Sequence, residues 1–196
     1  MAISAAQVKE LRESTGLPMM ECKKALEESS GDPEKAKEIL RKRGLKVADR
    51  KAGRETREGV IGSYVHHNNK VAVMVEVNCE TDFVARNEDF KTFVKDLCMH
   101  IAWAKPLAVR REELPAELVA KEREIAAATL TKVPEAKRAS AIEGKLEKTL
   151  YAQKVLLDQP FCKDETRTVG QVLKDLIAKL RENITIRRFV RYELGE

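Results

Sequence analysis

The chain has 196 residues, 43% of them hydrophobic and 35% charged, enough for one or two small domains with a true core. Its formal net charge of +5 admits a nucleic-acid or acidic-protein partner, but basic and acidic residues interleave almost everywhere and aromatics make up only 5%; that pattern favours solvated helix faces and leaves little material for stacking bases. No stretch approaches the ~20 apolar residues that cross a bilayer as a helix, and no signal-peptide pattern opens the chain, so a cytoplasmic location is expected.

The first elements are helical. Ser4 and Gln7 form a capping box, and Ala5, Val8 and Leu11 then share one helix face. Gly16 interrupts, and Pro18 suits the first position of a second helix. On that helix Met19, Cys22 and Leu26 line one face, whereas Met20 lies off it. Gly31 stops it, and Asp32-Pro33 opens a third helix by cap-plus-proline logic. Ala36, Ile39 and Leu40 line the third helix, and Gly44 is expected to end it. Residues 1–45 thus read as a small three-helix bundle. Residues 46–58 are highly charged and lack apolar periodicity; they read as a linker, helical at its start, whose basic excess serves either as a solvated tether or as an RNA contact.

Two strands follow, from Val60 to His66 and from Val71 to Val77, joined by a turn at His67-Asn68-Asn69-Lys70. Beyond the second strand, Asn78 to Asn87 hands over to a helix beginning near Glu88. Asp82 and Phe83 sit at this junction. From position alone, the Phe83 ring is either a surface anchor for a partner's pocket or a cap folded back on its own core. Phe90, Val94, Leu97 and Ile101 stripe the next helix; Leu118, Ile125 and Ala126 stripe another; Ile142, Leu146, Leu150 and Leu157 suggest a less regular one. Thr168 with Gln171 repeats the capping box ahead of the cleanest amphipathic face, Val169, Val172, Leu173, Leu176, Ile177 and Leu180. Ile184 to Tyr192 is rich in β-formers and is expected to complete a three-stranded antiparallel sheet with the hairpin, helices covering one face. The fold class is α+β, with residues 59–196 as its core.

Chemistry of the chain's own is not expected. There is no GxxxxGK phosphate cradle, no GxGxxG and no GxSxG elbow. His66 and His67, adjacent on a strand, should face opposite ways and so cannot share a metal. His100, on an apolar-striped helix, reads as a packing residue. The four cysteines, Cys22, Cys79, Cys98 and Cys162, are scattered without a CxxC pair and read as free thiols. Neither a cofactor nor a metal is expected, and no catalytic residue.

The run ETDFVARNEDF, preceded by VEVNC, closely resembles the signature of the elongation factor Ts family. The opening VKELRESTGLPMMECKKALEESSGDPEKAKEILRKRG, and later LLDQPFCKD and ENITIRRF, are also similar to segments of that family. The resemblance covers residues from about 6 to 190 and is weakest between about 105 and 145. It implies a guanine-nucleotide exchange factor for elongation factor Tu, with an N-terminal ubiquitin-associated-like module. It implies that Asp82 and Phe83, flanked by Thr81 and Val84, insert between helices of the partner's GTPase domain and disturb its magnesium and phosphate site. It implies that the second-helix segment, with Met19, Met20 and Lys23, grips the same domain, and that His66 approaches another domain of the partner. Longer relatives carry two related core halves; this chain has material for one, so a homodimer is expected, residues 59–196 providing the dimerisation domain. No direct contact with nucleic acid is expected. Two other readings compete: a ribosome-associated RNA binder using Arg187, Arg188 and Arg191, and an adaptor using only the N-terminal bundle.

Overall fold

A computed structural model describes residues 3–131 and 133–195. It is α+β, with N-terminal helices followed by a three-stranded antiparallel sheet packed with helices. The chain divides into two compact units. One runs from the N-terminal helices to Gly59 and adds Asn78–Phe90 and Leu173–Thr185. The other comprises Val60–Val77, Lys91–Val172 and the chain from Ile186 onward.

In the first unit, α1 (Ala5–Thr15) starts on the expected Ser4/Gln7 capping box. It ends at Gly16, whose left-handed φ of 66° lets its N–H reach Arg12 O. Helix α2 (Met19–Glu28) follows Pro18, which caps the helix rather than entering it. Asp32 Oδ1 accepts from the amides of Glu34 and Lys35 and launches α3. The three helices bury Val8, Leu11, Cys22, Ala25, Leu26, Ala36 and Leu40 together.

Helix α3 spans Pro33–Lys51 and runs through the expected stop at Gly44. The reason is packing. Gly44 is buried, and a Cβ there would stand 3.1 Å from the Ala178 Cβ. The glycine lets two backbones approach; its φ is not left-handed. The first half of the expected linker is therefore helix, and only the short stretch after Ala52 remains irregular before β1 (Glu58–Val65).

Strands β1 and β2 (Val71–Cys79) form the hairpin, and β2 is central in the order β1-β2-β5. Asn69 takes a φ of 56° in the turn, and His66 N donates to Val71 O at 2.9 Å. Val73, Val75, Val77 and Cys79 are buried, whereas Ile61, Val65 and Met74 on the opposite face are exposed. After the turn α4 (Asp82–Ala85) comes α5 (Glu88–Ala104), whose Phe90, Val94, Leu97 and Ile101 are buried as its stripe requires. Helix α6 (Ala116–Thr129) buries Ala126 but leaves Ile125 exposed, so Ile125 does not belong to the inward stripe. Helix α7 (Glu135–Leu146) passes into a π turn at Glu147–Tyr151 and a final turn, α8 (Ala152–Lys154). Arg111 binds this region together, reaching Asp158 at 2.6 Å and Glu147 at 2.6 Å with its guanidinium 4.4 Å above Tyr151.

A small hairpin, β3 (Pro160–Phe161) and β4 (Asp164–Thr168), was not expected from periodicity because its strands are too short to show any. Helix α9 (Val169–Leu180) begins on the expected Thr168/Gln171 box, and β5 (Ile184–Glu193) completes the sheet.

His100 is fully buried. Gln159 Nε2 donates to the carbonyls of Ala104 and Gln153, so its Oε1 is left to accept from His100 Nε2 at 3.0 Å. His100 Nδ1 accepts from Cys162 N at 3.3 Å. The neutral ring satisfies both neighbours, and burial pushes its pKa below the usual 6.5. A histidine with a depressed folded pKa contributes stability above its unfolded pKa and loses it as pH falls. The stability gap between wild type and His100→Gln, read from urea midpoints, should therefore narrow between about pH 7 and pH 5; a gap constant across that range would contradict the neutral assignment. A second test concerns packing. A Cβ at Gly62 would collide with Val94 Cγ1 and stand 3.0 Å from Cys98 Sγ. Gly62→Ala should cost about 1–3 kcal/mol in urea unfolding, and an unchanged midpoint would show that the strand and helix have room to part.

Candidate partner-binding site

Helix α4 is a single turn, made by its sequence. Thr81 adopts extended backbone (φ −130°, ψ 157°) and its Oγ1 faces Val84 N at 3.5 Å, an N-cap for the turn. Asp82 occupies the first turn, where a carboxylate is favoured, and pairs with Arg86 at 3.1 Å. Asn87 Oδ1 then accepts from Asp89 N at 2.9 Å and restarts the chain as α5. In one helical turn only part of the circumference can face inward. Val84 and Ala85 are buried, so Asp82 and Phe83 face out. Phe83 is 82% exposed. Of the two positional readings, the cap folded on its own core is excluded.

The support beneath the turn comes from far along the chain. Glu182, just after α9, accepts from Thr81 N at 3.0 Å and from Thr81 Oγ1 at 2.6 Å. Glu80 returns the exchange, its Oε1 accepting from Asn183 N at 2.6 Å. Asn183 donates its side-chain amide to Arg54 O at 2.7 Å, and Arg54 stands 3.4 Å from Glu80. The Asn183 N–H, with Arg54 beside it, holds the Glu80 carboxyl below the usual carboxylate range. Cys79 Sγ lies 3.1 Å from Thr81 O, which it donates to. Burial, reinforced by Glu182, pushes its thiol up to about 11. It is a protonated donor, and no nucleophile at neutral pH. All four cysteines are free.

The second group of expected contacts lies on α2, in the same unit. Met20 is 61% exposed, as its position off the apolar stripe requires. Met19 was expected on that stripe with Cys22 and Leu26, yet it is 50% exposed; as the first residue of the helix it precedes the turn that covers the others. Lys23 is exposed and pairs with Glu27 at 3.8 Å. Thr81 is half-buried and Val84 buried beneath the turn. His66 belongs to the other unit. It is half-buried, and its Nδ1 lies 2.8 Å from Tyr64 Oη. The expectation that His66 and His67 point apart is corrected: their ring centroids are 4.2 Å apart, because the strand ends at Val65 and both residues lie in the turn. Among the described residues no group of three or more His, Cys, Asp or Glu side chains is placed to hold a metal ion. Nor, among them, is any helix long and apolar enough to cross a membrane.

Sequence reasoning missed Glu182, Asn183 and Arg54. The available signal was a polar Glu-Asn pair set between an amphipathic helix and a strand, with Asn183 only 2% exposed.

The family model described as elongation factor TS matches residues 19–196. The chain is 56% identical to the elongation factor Ts of Geobacter metallireducens over 198 aligned residues, covering all of this chain and 91% of that one. It is 56% identical to the elongation factor Ts of Acetivibrio thermocellus, covering 99% of this chain and 91% of that one. A Thermotoga elongation factor Ts is 50% identical, with 100% of this chain and 98% of the relative covered, and so has nearly the same short length. With a matching family model over nine-tenths of its length and relatives sharing half or more of its residues from end to end, the chain belongs to the elongation factor Ts family.

Proposed function

We propose that the protein is a guanine-nucleotide exchange factor that binds elongation factor Tu carrying GDP and promotes GDP release, with no catalytic chemistry of its own. Asp82 and Phe83 enter beside the partner's magnesium and phosphate site, with Thr81 and Val84 forming the base of the wedge. The N-terminal module grips the same GTPase domain through Met19, Met20 and Lys23, and His66 approaches a further domain. The observation that carries this reading is Phe83, 82% exposed on a turn whose next two residues are buried.

Exchange requires differential binding: the factor must prefer the nucleotide-free partner, and factor and nucleotide then weaken each other equally. A ~10⁴-fold faster release needs about 5.5 kcal/mol of barrier lowering. Burying one Phe side chain supplies about 1.5–3 kcal/mol. A second hold is therefore required, and two exposed methionines suit an adaptable apolar grip. An assembly of this kind acts in the cytoplasm and needs neither a membrane nor nucleic acid.

The core, residues 59–196, pairs with a second copy. One face of the sheet carries exposed Ile61, Val65, Met74, Val190 and Tyr192. Exposed apolar side chains set beside the Glu76–Arg188 ion pair on one sheet face suit a docking surface, and two-fold pairing of like faces is the commonest way to cover one.

Release of labelled GDP from elongation factor Tu tests the wedge. Phe83→Ala should cut the stimulation about 30-fold, the kinetic equivalent of a ~2 kcal/mol hot spot; a variant as effective as wild type would remove Phe83 from the mechanism. For the pairing, sedimentation at about 10 µM should give twice the 22.1 kDa chain mass, and Met74→Asp should return the single-chain mass, since an unpaired charge in an apolar interface is costly. A monomeric wild type would rule the pairing out.

A further inference from the structure

We propose that Glu182 is a positioning residue for exchange: its carboxylate, bound twice by Thr81, fixes the α4 turn so that Phe83 stands away from the protein. The proposal rests on the exchange reading above and adds to it a residue that touches neither the partner nor its nucleotide.

A four-residue helix does not hold itself together. Its nucleation is unfavourable, and one turn supplies almost no compensating hydrogen bonds. The local N-cap is long, with Val84 N 3.5 Å from Thr81 Oγ1. An exposed benzyl group also gains by lying back on any nearby apolar surface. Something outside the turn must therefore hold it, and Glu182 does so with both carboxylate oxygens. One oxygen takes the Thr81 amide at 3.0 Å and the other takes the Thr81 hydroxyl at 2.6 Å. Donation of the hydroxyl to Glu182 fixes the Thr81 rotamer and leaves its lone pairs to face Val84 N. Hydrogen bonds to an ionised acceptor are the stronger kind, and Glu182 is half-buried, so water competes only in part.

The delivery of Glu182 to this place is itself specified. Arg181 takes a left-handed φ of 61° at the end of α9, with its amide bonded to Ile177 O, and the chain reverses there. That reversal brings Glu182 and Asn183 alongside Glu80 and Thr81. The same helix end reaches the other expected contact segment. Lys179 pairs with Asp89 at 2.7 Å, just past the wedge, and the Arg181 guanidinium lies 3.8 Å from Glu21, next to Met20 on α2. Lys179 also lies over Gly16, where a Cβ would meet its Cε at 2.6 Å. The end of α9 is thus a common mount for α2 and for the wedge. A mount of this kind spares the complex the entropy of ordering the wedge on binding.

The test uses the full chain and five proteins: wild type, Glu182→Ala, Glu182→Gln, Phe83→Ala and the double variant Glu182→Ala/Phe83→Ala. Stimulated GDP release from elongation factor Tu is measured against factor concentration. Glu182→Ala should lower the maximal rate about 10-fold, the size expected for losing charge-assisted hydrogen bonds, with the half-saturating concentration nearly unchanged. Glu182→Gln, which keeps one acceptor oxygen, should fall between. In the Phe83→Ala background Glu182→Ala should add less than about 2-fold, because a residue acting through Phe83 has nothing left to position. A purely structural role would instead give the same loss in both backgrounds and would overturn the proposal, as would full activity of Glu182→Ala. Hydrogen exchange, which needs no partner, provides the independent reading. In Glu182→Ala the amides from Thr81 to Ala85 should exchange faster while those of Val73, Val75 and Val77 do not; uniform acceleration, or none, counts against the clamp. If wild type fails to stimulate release at all, the exchange reading falls, and the exchange rates of these amides still decide whether Glu182 holds the turn.

Discussion

A benzyl ring standing in water forgoes about 1.5–3 kcal/mol of burial, and keeping Phe83 there is the constraint around which its unit is arranged. Phe83 is 82% exposed. Its direction comes from the buried Val84 and Ala85 on one side of it and from the Thr81 cap on the other. Those are secured in turn by two adjacent residues from each of two distant segments, Glu80 and Thr81 against Glu182 and Asn183, each pair donating to and accepting from the other. The exchange is reciprocal, so a shift of either segment breaks bonds in both directions.

The same unit mounts α2 by close packing and by ion pairs. Gly44 and Ala178 allow α3 and α9 to approach, and Asp49 pairs with Lys174 at 2.9 Å further along the same two helices. Glu21 lies between Arg43 at 3.3 Å and Arg181 at 3.8 Å. Exposed pairs of this kind contribute ~0–1 kcal/mol each, so their value is in register more than in stability. The glycine contact is the stricter constraint, since backbones cannot yield as charged side chains can.

In the other unit the demands differ. The hairpin and β5 present a buried face and an exposed one that carries Ile61, Met74 and Val190, and Gly62 sets the closeness of β1 to α5. The His100–Gln159 pair is a small polar island whose hydrogen-bonding capacity is met from three backbone groups, the amide of Cys162 and the carbonyls of Ala104 and Gln153. A buried polar group so satisfied ties the β3–β4 hairpin to α5, a link that apolar packing alone would leave free to slide.

The sequence by itself determined whatever is decided within a few residues. The capping boxes at Ser4/Gln7 and Thr168/Gln171, the Asp32-Pro33 start, the Asn69 turn and the alternation of Val71 to Val77 are all patterns contained in a short stretch of chain, and all are where the pattern places them. Family membership was legible for a similar reason, because the T-D-F-V run is written contiguously. Only the tertiary structure decided the rest. Gly44 reads as a stop until Ala178 is seen across from it. His66 and His67 read as opposed until the strand ends one residue early. Ile125 reads as core until its helix is found with that side in water. Phe83 reads as either cap or anchor until Val84 and Ala85 occupy the inward positions. The bonds that hold Phe83 out join residues 101 and 103 positions apart, and no local pattern encodes a partner at that distance: it exists only once folding has brought the end of α9 to the end of β2.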